Sequence, residues 1–271
     1  MTYSIYLILL YILLVALRPT RKIAYALTPW LIFACSYDWM RLLPNWKVNP
    51  IDVQGIYEAE KSLFGIATAS GTVIPSEWFA LHHSTLEDII AGVSYLSWVP
   101  VPLAFALWLF VKGEYRWCKR FSWAFLIVNL VGFACYYVHP AAPPWYVLKH
   151  GFEVVLDTPG DVGGLIRFDN LIGIPVFQSI YSGNSNVFAA VPSLHATYMM
   201  VATLYAILTK QHRLVIVVFS LLTMGIWFTA VYAGHHYVID VLLGILLAVV
   251  TLTVYEGVWR WVAKRSRSCS N

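Results

Sequence analysis

Two histidines and an aspartate carry the chemistry open to this chain. His236 and Asp240, in "GHHYVID", are four residues apart, so on a helix they share one face and the carboxylate can reach the imidazole. A carboxylate that holds one ring nitrogen fixes the tautomer and leaves the other nitrogen as nucleophile or base. Such a pair can also merely cap or staple a helix. In a membrane setting an ionisable pair is expensive to bury, which favours the functional reading. His195 follows Pro192 and Ser193, two residues that begin helices well because Pro lacks the unsatisfied N–H and Ser accepts from the first turn. A helix start presents free N–H groups and a positive dipole end, which suit a phosphate. Two histidines beside such a cradle point to phosphoryl transfer.

The elements that must position them are membrane helices. Of 271 residues, 59% are hydrophobic and only 12% charged, half the charge of an ordinary soluble domain. Apolar stretches at 3–17, 23–43, 89–111, 121–139, 192–209, 214–233 and 238–258 predict seven crossings. The first is short, but it lacks the basic start and small-residue cleavage site of a signal peptide. Basic residues cluster in "RPTRK", "KGEYRWCKR", "KQHR" and "RWVAKRSR", which hold 13 of the 18 Lys and Arg. Each cluster follows an odd-numbered crossing, so one arrangement places all four in the cytoplasm and the N-terminus outside. That topology returns His195 and His236 to the same outer side at the same depth. The net charge of +4 is then a topological signal and carries no nucleic-acid implication. None of the four cysteines falls in an outside loop, so no disulfide framework is expected.

The chain reads as one membrane-embedded domain over 1–271. Residues 1–88 supply N-terminal helices and an outside loop, and residues 89–271 the catalytic bundle. Two outside segments, 44–88 and 140–191, are long enough to be functional. The first reads as short amphipathic helices at the interface, the second as irregular backbone over a polar cavity. The outer basic residues are Arg41, Lys47, Lys61, Lys149 and Arg167. Lys149 and Arg167 share the second loop and are the candidates for neutralising a phosphate, against a reading as solvated surface charge. His235 points about 100° away from His236 and either contacts a headgroup or is structural. His139 reads as a wet interfacial residue. His82 and His83 lack further ligands, so no metal is expected. In "PAAPPWY" the prolines stiffen a loop, and Trp145 and Tyr146 read as interfacial anchors.

Pro192-Ser193-Leu194-His195 and His236 to Asp240 resemble the second and third motifs of the type-2 phosphatidic acid phosphatase superfamily. "AAPPWY", "VPSLHA" and "GHHYVIDVLLG" are similar to three blocks of the aureobasidin-sensitive inositol phosphorylceramide synthases in that superfamily, over roughly residues 120–260. The phosphatases carry a first motif of Lys, six residues and Arg-Pro. Aligned on Pro143, its basic positions fall on Cys135 and Ala142. Their third motif starts Ser-Arg where this chain has Thr229-Ala230.

The resemblance implies an all-α integral membrane protein, a six-helix core with an extra N-terminal helix, and a block around Pro143, Trp145 and Tyr146 that walls the active cavity. Asn184, Asn186, Asp161 and Asp169 would add polar lining for a polyol headgroup, and Ser193 and His235 would contact substrate. It implies a transferase that moves phosphoinositol from phosphatidylinositol to ceramide. His236 attacks phosphorus, Asp240 stabilises the charged ring, and His195 protonates the departing diacylglycerol, then deprotonates the incoming hydroxyl. A lipid phosphate or polyprenyl pyrophosphate phosphatase would use the same residues with water as acceptor. The missing cations rank it lower, and a transporter or non-catalytic lipid-binding protein ranks below both. No cofactor and no obligate protein partner are expected. The expected location is a bacterial inner membrane, with the site on the periplasmic face.

Overall fold

The structure, a computed structural model, describes residues 2–183 and 186–268. Seven helical segments fall where the apolar stretches predict them: α1 (Thr2–Ala16), α2 (Arg21–Trp39), the pair α5 (Thr85–Leu96) and α6 (Pro100–Val111), α7 (Tyr115–Val138), α11 (Leu194–Leu208), α12 (Arg213–Tyr232) and α13 (Val238–Ser268). Tyr115–Val138, Arg213–Tyr232 and Val238–Arg265 are each long and apolar enough to cross a membrane, and α5 with α6 passes the same test only as a pair, bent by 44° at the break. Tyr3–Ala16 and Leu194–Leu208 are shorter apolar helices. The protein is an all-α membrane protein.

The bend in the third crossing differs from the continuous helix expected. Its cause is in the sequence: Pro100 stands at the first position of α6, where a residue without an N–H can open a helix but cannot continue the hydrogen-bond ladder of the helix before it.

Side chains fix the direction of the helices. Trp30 stacks on Phe125 at 4.3 Å and bonds Ser122, Tyr37 meets Phe133, and Asn45 reaches the Tyr136 carbonyl, so α2 runs parallel to α7. At the starting end of α7, Arg120 is paired with Glu256 of α13, and Tyr205 of α11 bonds the same carboxylate. Trp108 reaches Gln211 nearby. All four basic clusters therefore gather at one end of the bundle, opposite the histidines. The core between is aromatic, with Tyr95, Phe121, Phe125 and Tyr205 fully buried.

The first long loop carries short helices, as the sequence implies, and the second is more ordered than expected. The first holds α3 (Gln54–Phe64), a hairpin of β1 (Ile66–Thr68) and β2 (Gly71–Val73), and α4 (Pro75–Leu81). The second holds α8 (Pro144–His150), α9 (Ile166–Ile172) and α10 (Val176–Ser182), where irregular backbone was expected. Short local devices account for this. Pro144 opens α8, and the buried Asp169 accepts from the Phe177 and Gln178 N–H groups that begin α10. The loops also bind each other. Asp52 N–H donates to the Pro140 carbonyl, Ala142 N–H to Asp52, and Ala141 pairs with both Asp52 and Ala189.

Candidate active site

Each histidine stands at or just before the start of a helix, at the end of the bundle away from the basic clusters. Ser193 caps α11, accepting from Ala196 N–H at 3.3 Å, while its own N–H donates to the Asp240 carbonyl at 2.9 Å. Gly244 lets this contact form, because a Cβ there would lie 2.3 Å from the Ser193 carbonyl oxygen. The starts of α11 and α13 are thereby locked together. At the turn before α13, the N–H groups of His235 and His236 both donate to the Ala230 carbonyl.

The two catalytic candidates meet. His195 Nδ1 lies 3.0 Å from His236 Nε2. His236 Nδ1 lies 3.0 Å from the Ala190 carbonyl. A carbonyl only accepts, so Nδ1 of His236 carries the proton and Nε2 the lone pair, and His195 must donate from Nδ1. Burial pushes the His236 pKa down to about 4, against the Ala190 bond that raises it, so the ring is neutral near pH 7.

Asp240 stands behind this pair without a close bond to it. Its Oδ2 is 3.5 Å from His236 Nδ1, farther than the Ala190 carbonyl, and accepts from Tyr237 N–H at 2.9 Å. The spacing of four does place both on one side. The ring is oriented first by a backbone carbonyl, with the Asp240 carboxyl group behind it.

His235 is held separately. Its Nε2 donates to the Val162 carbonyl at 3.0 Å, and its ring stacks on Tyr181 and Tyr95 at 4.4 and 5.7 Å. Burial, then the neighbouring His236, pushes its pKa down to about 3. Tyr95 and Trp98 pack against His195 at 4.9 and 4.6 Å.

A cavity of about 230 Å³ opens on His195, His235 and His236 and is walled by Pro143, Trp145, Asn186 and aromatic rings from α2, α7, α10 and α11. Among the described residues its lining has no Lys or Arg. Lys149 and Arg167 instead line a second cavity, of about 430 Å³, on the far side of Trp145. This corrects the expectation that they face the histidines. Lys149 is paired with Asp161, and Arg167 Nε donates to Asp88 at 2.7 Å while stacking on Tyr232. The division follows from the backbone: Trp145 N–H donates to Gly234, and Gly164 N–H to Ala233. Gly163 is required beside that bond, since its φ is +52° and a Cβ would lie 2.4 Å from the Ala233 oxygen.

Other expected positions differ as well. Ser193 is fully buried as a cap and does not line the cavity. Trp145 and Tyr146 are buried rather than interfacial, and the Tyr146 hydroxyl ties down the backbone of Glu153 and Val155. Asp169 caps α10 and Asp161 belongs to the second cavity, so neither lines the first. Asn184 lies outside the described residues. His139 is half-exposed beside Asp52 at 3.3 Å, and no cluster of metal-binding side chains occurs among the described residues. Ala142 and Ala230, at the positions aligned with the phosphatase cations, are fully buried.

One positioning group escaped the sequence reading. Glu60 of α3 is 1% exposed, and its two carboxylate oxygens accept from Val238 N–H at 2.9 Å and Ile239 N–H at 3.1 Å. It caps the helix that follows His236 from 178 residues away. Its signal was an acid at the apolar face of α3, four residues after Ile56.

The profile of the PAP2 superfamily matches residues 68–254. A phosphoinositol dihydroceramide synthase of Bacteroides thetaiotaomicron is 56% identical over 238 residues, 88% of this chain and 78% of that protein. An inositol phosphorylceramide synthase of Candida albicans is 30% identical over 198 residues, covering 68% of this chain and 41% of its own length. The inositol phosphorylceramide synthase catalytic subunit of Saccharomyces cerevisiae is 29% identical over 192 residues, covering 66% and 47%. The chain thus spans less than half the length of these fungal relatives. No solved structure matches it. The chain belongs to the PAP2 superfamily and, within it, to the family of these phosphoinositol and inositol phosphorylceramide synthases.

Proposed function

We propose that this chain transfers phosphoinositol from phosphatidylinositol to a ceramide or dihydroceramide and releases diacylglycerol. The observation that carries the reading is the pairing of His195 Nδ1 with His236 Nε2 at 3.0 Å in a cavity that opens beside apolar walls. Inserted between them, a phosphodiester meets a neutral imidazole lone pair on one side and a proton donor on the other. The anionic diester favours the imidazolium form of His195. His236 Nε2 forms a bond to phosphorus as the bond from phosphorus to the diacylglycerol oxygen breaks, and His195 Nδ1–H gives that oxygen its proton. The inositol phosphoryl group then rests on His236, whose charged ring is flanked by the Ala190 carbonyl and Asp240. In the second half, His195 takes the proton of the ceramide hydroxyl, which attacks phosphorus as the P–N bond breaks.

Pro143 and Trp145 wall the reacting group, and the Nδ1 of His235 offers an acceptor for an inositol hydroxyl. Ser193 acts through the position of His195. Lys149 and Arg167 do not face phosphorus in this scheme. Lys149 stands half-exposed by the second cavity and draws the anionic headgroup toward the site. The basic end of the bundle lies opposite the histidines, and the positive-inside bias then supports the reading of a site on the non-cytoplasmic face of a bacterial inner membrane.

The test is the purified protein in micelles with phosphatidylinositol and a fluorescent ceramide, read by thin-layer chromatography. A slower-migrating fluorescent lipid that depends on phosphatidylinositol is expected from wild type. Its yield should fall at least about a thousandfold in His236→Ala, as for loss of a nucleophile. If ceramide stays unmodified while lipid phosphates release inorganic phosphate, the acceptor is water and the proposal fails.

A further inference from the structure

The N-terminal helices α1 and α2 lie outside the superfamily match, which begins at residue 68. They build a cavity that the scheme above does not use. It has about 290 Å³ and lies between Leu7 of α1, Phe33 and Ala34 of α2, and Val99 at the α5–α6 break. Four further wall residues, Gly183 and the aromatic Tyr37, Trp98 and Tyr198, also line the histidine cavity. The two spaces are therefore separated by a shared aromatic wall and not by packed core. Trp98 touches His195 and Tyr198, so the groove meets the active cavity on the side of the acid-base histidine and away from His236.

That side is where an incoming alcohol must arrive. In-line displacement at phosphorus places the entering oxygen opposite His236, within reach of His195. The tail attached to that oxygen has to leave the cavity toward the membrane. The groove offers an apolar path between helices that face the bilayer, with Leu7 and Ile32 exposed on the outer surfaces of α1 and α2.

Its polar content selects among lipids. The buried Asp38 lines the groove, bonded by Ser4 and by Arg41 at 2.8 Å. A carboxylate offers about four acceptor positions and no donor. An amide N–H and a hydroxyl, as in a ceramide, can bond to it, whereas the ester-linked backbone of the diacylglycerol half of the donor brings only acceptors there.

We propose that this groove binds the sphingoid acceptor, its alkyl chain lying between α1, α2 and the α5–α6 break and its amide and hydroxyl groups at Asp38. The inference rests on the proposed transferase reaction. It makes the segment outside the superfamily core the part that chooses the acceptor.

The experiment uses the full chain, phosphatidylinositol, and two ceramides, one with two long chains and one with both chains cut short. Ala34→Trp and Leu7→Trp fill the groove from two helices, and Leu10→Trp, exposed on α1 away from it, is the control. A methylene in an apolar pocket is worth roughly tenfold or more in discrimination. Both filling variants should raise KM for the long-chain ceramide by about tenfold, with kcat kept, and shift the short-chain ceramide far less. Asp38→Asn should raise KM for both ceramides.

The proposal is overturned if both ceramides are affected equally by the filling variants, if Leu10→Trp has the same effect, or if no KM changes. It is also overturned if the loss follows the chain length of phosphatidylinositol, which would give the groove to the donor. A wild-type protein that leaves ceramide unmodified refutes the transferase reading itself, a result separate from all of these.

Discussion

Two cavities lie side by side across Trp145, and they divide the site's chemistry from its charge. The one with His195 and His236 is lined by aromatic rings and neutral imidazoles. The other holds Lys149 and Arg167, each already matched to a carboxylate. The difference teaches that, in the proposed reaction, the phosphate would sit in a cavity whose described lining carries no Lys or Arg. An imidazole in an apolar wall remains a nucleophile near neutrality, while a buried unpaired Lys or Arg would be costly. The cations stand next door, each paired with a carboxylate, so the described lining of the histidine cavity carries no fixed positive charge.

The strongest way to break that division is to remove the wall. Trp145→Ala deletes a buried ring, at a cost of about 3 kcal/mol in stability, and joins the two cavities. The variant should lose most of its transfer activity and begin to release inositol phosphate by hydrolysis, measured as water-soluble inositol from labelled phosphatidylinositol. Unchanged transfer with no hydrolysis would show that Trp145 does not keep the spaces apart.

Acid separates the cavities in another way. In the unfolded chain His235 and His236 take up protons near 6.5, whereas in the fold their values are pushed down to about 3 and about 4. The unfolded state therefore binds more protons between these limits, and stability is lost as pH falls from about 6.5 toward 4. Thermal unfolding in detergent should show Tm dropping across that window. The drop should be smaller in His235→Gln, which has no ring to charge.

Much of this arrangement is legible in the sequence, and the exceptions share one cause. The seven apolar stretches and the His195, His236 and Asp240 set follow from local pattern, because hydropathy, helix starts and four-residue spacing act between neighbours in the chain. What did not follow depends on distant backbone. The orientation of His236 by the Ala190 carbonyl, the placing of Arg167 beside Asp88, and the cap that Glu60 gives to α13 join residues 46, 79 and 178 apart. The α8, α9 and α10 helices were missed because seven-residue helices are too short to show a period.

Glu60 ties the outer loop to the reacting turn, so it tests whether the histidine cavity is held from above. Glu60→Ala leaves the Val238 and Ile239 N–H groups without partners, and a lost cap costs about 1 to 2 kcal/mol. We expect a lower Tm and a several-fold fall in kcat, with KM for both lipids little changed, because the effect is on the position of His236. Glu60→Gln, which can still accept one N–H, should recover part of kcat. A variant with full kcat would free the active site from its roof.

Lys149 probes the other cavity and should matter least. Its pairing with Asp161 is half-exposed, and such surface pairs contribute below about 1 kcal/mol. Lys149→Ala should therefore unfold at nearly the wild-type temperature. Its role in the scheme is long-range attraction of an anionic headgroup, which salt screens over about 10 Å. KM for phosphatidylinositol should rise about two- to threefold at low ionic strength, and the difference from wild type should vanish as salt is added. A salt-independent loss in kcat would instead mean that the ammonium reaches the phosphate during reaction. The separation of charge from chemistry across Trp145 would then hold only in the resting protein.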